Sequence, residues 1–536
     1  MKAKRTIVFY TFLLFSLSAL IIRLYYLSAS DITIYANSQG NTFRLNIDKT
    51  RGTIYDRNLV PLVYNESVYK VAVFPSIQSK NYLFSVLKDD EFKQIEENFS
   101  LGNPFVFTLD RFIEESQDVS VHLIYKRYSD NQLAQHFIGY CTNDFSQGVT
   151  GIEKCYDNTL SSYKGSLSLG FPIDATGRSL EGAEININDT TDKSSGGICL
   201  TLDSKIQKIA EKAAAKISKG SVLICDVNSG EILAGVSLPR YDTDNISQSI
   251  SHDDSSLINR NLCAYNIGST YKLIVVSAAL SMGISPSYTY NCTGSYEIDG
   301  TVFNCHKKEG HGYQNMKDAI SNSCNPYFIS LGKKIGTERL LSFSSLFSIG
   351  KEITIADNLV SSKGNLPDKS EIITSGDLAN ISFGQGSLMA TPLHIAKIIS
   401  VIANGGYDIN PTLIKGNIDE NKKLNTYKNK TENVKIISSS VAEKIKEFMV
   451  NTIENGTGKS AKPNNLSAGG KTASAETGWL LSGENIVQAW FSGFYPADNP
   501  KYAIVVLSEG GKSGAAACAP IFKEICDNLY QNGFIN

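Results

Sequence analysis

A mostly apolar run from Thr6 to Ile22, preceded by Lys2, Lys4 and Arg5, limits what the rest of this chain can be. Its length sits close to the lower limit for a helix that crosses a bilayer. Arg23 is placed to snorkel at the far end, and Leu24-Tyr25-Tyr26-Leu27 extends the run past it. The basic residues ahead of the run put residues 1–5 in the cytoplasm and all that follows outside. A cleaved signal peptide is the competing reading, with Ser28-Ala29-Ser30 as a poor small-residue site. The length of the run favours an uncleaved, single-pass anchor.

The 536 residues leave room for several domains outside the membrane, or for one large domain with a smaller partner. A formal net charge of −2, with no basic stripe interleaved with aromatics, gives no reason to expect nucleic acid. Ten cysteines in an exported chain permit disulfides. Cys292 and Cys305 form the best local pair, because Gly294 and Gly300 lie between them in a stretch that can fold back as a hairpin. A disulfide, two free thiols, and a zinc site completed by His306 and His311 all remain open for them. Zinc is the least favoured, since no short Cys-x-x-Cys anchors it, and no metal or other cofactor is expected.

Residues 31–50 read as extended and polar. Arg51–Asn58 alternates charge with Ile54 and Tyr55, which taken alone reads first as a solvated loop and otherwise as a half-buried strand with paired charges. Residues 80–135 show weak helical periodicity and no chemical motif. Gly148–Glu153 reads as a Gly-rich turn entering a helix that includes Tyr156, Asp157 and Leu160. The polar, Gly/Ser-rich stretch 186–197 is taken as a domain boundary. Beyond it Asp203 caps a helix with apolar Ile206, Ile209, Ala210, Ala213 and Ile217. Ser221–Val227 and Glu231–Ser237 form a hairpin around Asn228-Ser229-Gly230. A second hairpin spans Val487–Tyr495 and Lys501–Ser508, and Ala515–Tyr530 closes as a helix. Hairpins at both ends with helices between imply an antiparallel sheet covered by helices, an α+β fold.

The chemistry concentrates in Ser269-Thr270-Tyr271-Lys272, which opens an apolar run. On a helix, Ser269 and Lys272 stand one turn apart on one face. A serine hydroxyl needs a base within reach, and a lysine kept neutral by its surroundings can be that base. The spacing alone is weak, because Ser85/Lys88, Ser161/Lys164 and Ser348/Lys351 repeat it. Ser323-Cys324-Asn325 and Lys471-Thr472-Ala473-Ser474 follow in order, and the three together are far more specific than any one.

These residues resemble a class B penicillin-binding protein, a membrane-anchored D,D-transpeptidase of bacterial cell-wall synthesis. The resemblance covers nearly the whole chain. Arg51–Asn58 with Gly148–Asp157 is similar to the family's N-terminal signature, Gly230–Ala234 to its hairpin motif, and Gly384, Gly386, Thr391 and Pro392 to its Gly-x-Gly and Thr-Pro motifs. It implies a tip and transmembrane anchor over 1–27, an elongated pedestal or dimerisation-like domain over 28–196, and over 197–536 a transpeptidase domain of the penicillin-binding and serine β-lactamase type. It further implies Ser269 as nucleophile and Lys272 as base, with Ser323, Asn325 and Lys471 as their catalytic partners. Lys471, Thr472 and Ser474 would hold the donor's carboxylate, with the backbone N–H groups of Ser269 and Ser474 as oxyanion hole. The implied partners are peptidoglycan stem peptides, β-lactams as inhibitors, and a membrane-embedded SEDS glycosyltransferase. A β-lactam sensor, a β-lactamase or a catalytically impaired scaffold are the alternatives. Ile267 replaces the usual proline, and Ala473 replaces the glycine of the Lys-Thr-Gly box, where its methyl is expected to crowd the cleft wall.

Overall fold

The computed structural model describes residues 2–29, 42–173, 185–243, 245–251, 255–427, 433–481 and 484–535. Residues 31–41 of the segment read as extended lie outside these. Lys2–Ala29 is one helix, α1, and its Thr6–Tyr25 portion is long and apolar enough to span a membrane.

The remaining chain forms two compact units. The smaller comprises Met1–Thr50, Ser67–Tyr125 and Lys164–Lys193. Thr42–Thr50 pairs antiparallel with Gly165–Pro172, which pairs in turn with Asn186–Asp189. In a second sheet Glu66–Val73 lies between Phe105–Leu109 and Val119–Lys126. Two helices, Ile77–Val86 and Asp89–Leu101, close over a core of Val71, Val73, Leu83, Phe92, Ile95 and Leu109. Ser76 caps the first, accepting from the N–H of Ser79. Their apolar positions are sparse, which explains how weakly they show in the sequence.

The larger unit takes in Arg51–Glu66 and Lys126–Tyr163 as well as Ser194 onward, a division that differs from the single boundary read at 196/197. The reason is strand pairing. Thr53–Tyr55 runs parallel to Gly197–Leu200, which also pairs with Ile414–Ile418. Arg51 is fully buried rather than half-buried, and Glu153 receives Arg127 Nε at 2.6 Å and Arg51 Nε at 3.3 Å. Arg51 Nη2 also meets Asp157 at 2.8 Å.

The centre of this unit is a five-stranded antiparallel sheet of Gly220–Asp226 (β1), Ile232–Leu238 (β2), Gly469–Leu481 (β3), Glu484–Tyr495 (β4) and Tyr502–Glu509 (β5). The spatial order is β2-β1-β5-β4-β3, so β3, last in line, is an edge strand. Alternate residues serve opposite faces. Val222 and Ile224 of β1, with Ile504 and Val506 of β5, pack with Ile206 and Ala210 of Ser204–Ala214 (α2) and with Phe522 and Ile525 of the C-terminal helix. Leu223, Cys225, Val505 and Leu507 face a second core. That core holds the helices Lys272–Ser281 (α3), Asn325–Ile335 (α4), Pro392–Ala403 (α5) and Ser439–Glu454 (α6). Ala519–Gln531 (α7) closes the first face, entered through one π-helical turn at Gly514–Cys518. The Asp203 cap, both hairpins and the Thr391 cap before Pro392 form as their local residues dictate.

Candidate active site

The nucleophile turn is built by close packing of residues without bulk. Gly268–Tyr271 is a 3-10 turn running directly into α3, so Ser269 and Lys272 do lie one turn apart. Gly268 has φ +53°, a conformation that costs a non-glycine residue roughly 1–2 kcal/mol. A Cβ on it would meet the Ala475 Cβ of β3 at 3.1 Å, so the turn nestles against the edge strand. From behind, Gly384 approaches so closely that a Cβ there would fall 1.9 Å from Gly268 O. The Gly-x-Gly motif thus buttresses the nucleophile.

Three separated segments converge on Ser269. The Ser323 and Ser269 hydroxyls are 3.0 Å apart, and Lys471 Nζ donates to Ser323 Oγ at 3.0 Å. Lys272 Nζ donates to Ser323 Oγ at 3.2 Å, to Ser323 O at 2.8 Å and to Asn325 Oδ1 at 2.7 Å. Lys272 therefore reaches the nucleophile through Ser323, which sits at the junction of all three groups. Ser323 holds φ +52°, the left-handed region, which turns the chain sharply between Met316–Ser321 and α4. Asn325 Nδ2 donates to Asn304 O at 3.1 Å, tying the motif to the Thr301–Asn304 strand.

Both lysines are fully buried. Burial, which disfavours the charged form, brings Lys272 down to about 7. Lys471 is held well below the usual lysine range, by burial first and by the charge of Lys272 second. A neutral amine is what proton abstraction from a serine requires.

On β3 the Lys471 ammonium also donates to Thr472 O at 2.7 Å. Ser474 Oγ accepts from Gly514 N–H at 3.1 Å, leaving its own hydrogen free to donate. Ala473 is 3% exposed and packs in the core cluster of Trp490, its partner across β4, so its methyl is turned inward and adds little to the cleft wall. Sequence reasoning missed Thr457, whose hydroxyl lies 2.8 Å from that of Thr472. No motif flags a threonine in a connecting turn.

Of the readings left open for Cys292 and Cys305, the structure holds free thiols and not the disulfide. Cys292 lies opposite Gly312 across the Tyr290–Cys292 and Gly312–Gln314 pair, which brings it beside His311. Cys292, Cys305, His311 and Cys324 place their donor atoms within 4.8 Å of one another, and all three thiols are buried. His311 Nδ1 is 3.7 Å from Cys292 Sγ and 3.5 Å from Cys305 Sγ. Tetrahedral zinc, with its usual bond lengths, sets sulfur–nitrogen edges of about 3.5 Å, so the donor set fits the ion. No metal was expected, and the structure gathers a donor set that could hold one. The fourth donor is Cys324 rather than His306, and it comes from inside Ser323-Cys324-Asn325.

Residues 220–527 match the penicillin binding protein transpeptidase domain, and residues 46–186 match the penicillin-binding protein dimerisation domain. Stage V sporulation protein D of Bacillus subtilis is 30% identical over 530 residues, covering 91% of this chain and 79% of the relative. Peptidoglycan D,D-transpeptidase MrdA of Haemophilus influenzae is 25% identical, covering 98% of this chain and 91% of its own. Among solved structures, the D,D-transpeptidase domain of a peptidoglycan glycosyltransferase from Eggerthella lenta superposes with a TM-score of 0.66 at 23% identity, covering 91% of this chain and 99% of that one. The penicillin-binding protein of the Helicobacter pylori PBP2–MreC complex does so with 0.65 at 24%, covering 93% and 100%. With a dimerisation domain ahead of a transpeptidase domain that fills more than half its length, the chain belongs to the class B penicillin-binding proteins.

Proposed function

We propose that this protein cross-links peptidoglycan stem peptides through an acyl-enzyme on Ser269. The observation that carries the reading is the chain of polar groups from Ser269 through Ser323 to two buried lysines. The donor is a stem peptide ending in D-Ala-D-Ala. Ser269 Oγ bonds to the penultimate carbonyl carbon while its proton passes by way of Ser323 to the neutral Lys272 amine. The N–H groups of Ser269 and Ser474 hold the oxyanion, each such donor being worth about 3 kcal/mol of barrier. The carbon–nitrogen bond to the terminal D-Ala then breaks, and the leaving amine takes the proton back through Ser323. The amine of a second stem peptide attacks the acyl carbon and gives its proton to Lys272, which returns it through Ser323 to Ser269 Oγ as the ester carbon–oxygen bond breaks. Thr472, Ser474 and Lys471, whose charged form an arriving carboxylate favours, receive the donor's terminal carboxylate. β-Lactams acylate the same hydroxyl. The α1 helix anchors the protein with its N-terminus in the cytoplasm, and a SEDS glycosyltransferase in the same membrane supplies the strands.

Intact-mass measurement of the full chain with penicillin and with a D-Ala-D-Ala peptide tests this. A stable adduct and released D-Ala, both lost in Ser269→Ala, are expected. Rapid turnover of penicillin would point to a β-lactamase. An adduct with penicillin but no D-Ala release would point to a sensor, and no reaction with either to a scaffold.

A second reading concerns the thiol cluster. The donor set favours a structural Zn²⁺ held by Cys292, Cys305, His311 and Cys324, which would brace the segment carrying Ser323 and Asn325. Elemental analysis of the purified chain should find about one zinc per chain, reduced by Cys305→Ser. Absence of zinc, with thiol titration showing paired cysteines, would restore the disulfide.

A further inference from the structure

The turn Asn455-Gly456-Thr457-Gly458 belongs to none of the signature motifs, yet it touches one of them and the residues just ahead of another. It follows α6 and is drawn against the residues just ahead of Ser323. Thr457 N–H donates to Ser321 O at 2.9 Å, and Asn451 Nδ2 of α6 donates to Ser321 Oγ at 2.6 Å. A Cβ at Gly456 would fall 2.3 Å from Ser321 O, so a residue without a side chain is what lets the turn come this close. The same turn reaches β3, where the Thr457 and Thr472 hydroxyls are 2.8 Å apart. Thr472 is 7% exposed, which limits how many partners its hydroxyl can find.

A carboxylate only accepts hydrogen bonds. A Thr472 hydroxyl that serves one must give its hydrogen to it, and its oxygen is then left to accept. Thr457 is the hydroxyl in reach to supply that second hydrogen. Hydrogen bonds running in one direction along a chain strengthen one another.

We propose that Thr457 is a positioning residue for the donor carboxylate: its hydroxyl donates to Thr472 Oγ1 and thereby aims the Thr472 hydrogen at the carboxylate. The inference rests on the reading of the site as a D-Ala-D-Ala transpeptidase and extends its recognition machinery beyond the three motifs. The Gly456 approach gives this aim its stiffness, because the turn is fastened to the chain that also carries Ser323.

The test uses the full chain in detergent micelles and two donors, a peptide ending in D-Ala-D-Ala and the same peptide ending in D-Ala-D-alaninamide. The quantity read is the ratio of their acylation rates at low concentration. A neutral hydrogen bond is worth about a factor of five to ten, so Thr457→Val should lower the ratio roughly five- to tenfold, mostly through KM for the carboxylate donor. Thr457→Ser, which keeps the hydroxyl, should restore it. Thr457→Ala serves as a second hydroxyl-free variant should the valine fail to fold. A wild-type ratio in either hydroxyl-free variant overturns the proposal, as does a serine variant that behaves like the valine. Equal rates for both donors in the wild type would remove the carboxylate role of Thr472 together with this inference. No acylation of the wild type by either donor would instead remove the proposed function first.

Discussion

Two clusters of buried cations in the larger unit are treated in opposite ways. Arg51 and Arg127 surround Glu153, with Asp157 as a further partner and the Tyr128 hydroxyl donating to Glu153 at 2.9 Å. Burial would by itself push Arg127 down, but the adjoining carboxylate outweighs it and holds the guanidinium well above its ordinary value. Burial likewise opposes ionisation of Glu153, and Arg127 then Arg51 bring it below the usual carboxylate range. Around Lys272 and Lys471 the bonded partners are hydroxyls, carbonyls and an amide, with no carboxylate among those described. The two amines are left to desolvation and to each other, and they become bases. Paired burial fixes a structure, whereas unpaired burial tunes a reagent at the expense of stability.

Substitutions can break this contrast, beginning with the largest effect. Lys272→Met should slow acylation of Ser269 by about 10²–10⁴-fold in stopped-flow or mass-spectrometric assays. Its unfolding midpoint should stay at or above that of the wild type, because an unpaired buried amine is lost. Glu153→Gln should do the reverse. It strands the buried Arg127 guanidinium, leaves Arg51 with Asp157 alone, and should cost about 3–5 kcal/mol in denaturant titration, while the protein that remains folded keeps its acylation rate. An unstable Lys272→Met with a harmless Glu153→Gln would invert the whole comparison.

The pH dependence sharpens it further. With Lys272 at about 7, the acylation rate should rise as pH increases through that value, the lysine pair titrating as a unit. The effect on stability has a defined sign. Between about 7 and the ordinary 10.5 the unfolded chain binds the extra proton, so unfolding free energy should increase with pH across that window. Lys272→Met should flatten this slope, as read from urea titrations at several pH values.

The smallest effect is expected at Ala473. Ala473→Gly should cost about 0.5–1 kcal/mol of stability through strand entropy and lost packing. Penicillin acylation should remain near the wild-type rate, since the methyl is buried beside Trp490. A large gain in acylation would return the methyl to the cleft wall.

Features set within one turn or one hairpin were legible without coordinates. The Ser269–Lys272 spacing, the Asp203 and Thr391 caps and the hairpin from β1 to β2 depend on residues a few positions apart, where backbone periodicity fixes who meets whom. The helices Ile77–Val86 and Asp89–Leu101 showed only as weak periodicity because each buries just two residues. His311 was read beside Cys292 and Cys305 as one option for a donor set, but Cys324 was hidden inside a motif already assigned another task. Thr457 carried no signal, since its meaning comes from a hydroxyl fifteen residues away on an edge strand.

Residue identity and order were sufficient to name the family and to single out Ser269 and Lys272 as candidates, because three motifs in a fixed succession are a property of the chain written out in one dimension. Folding decided what those groups are chemically. Whether Lys272 is a charged surface group or a base depends on the atoms that exclude water from it, and they come from α4 and β3 as well as from its own helix. The same holds for the four donors gathered from Cys292 to Cys324 and for the Thr457 contact. Desolvation and convergence are properties of packing, and packing joins segments whose separation along the chain carries no record of their distance in space.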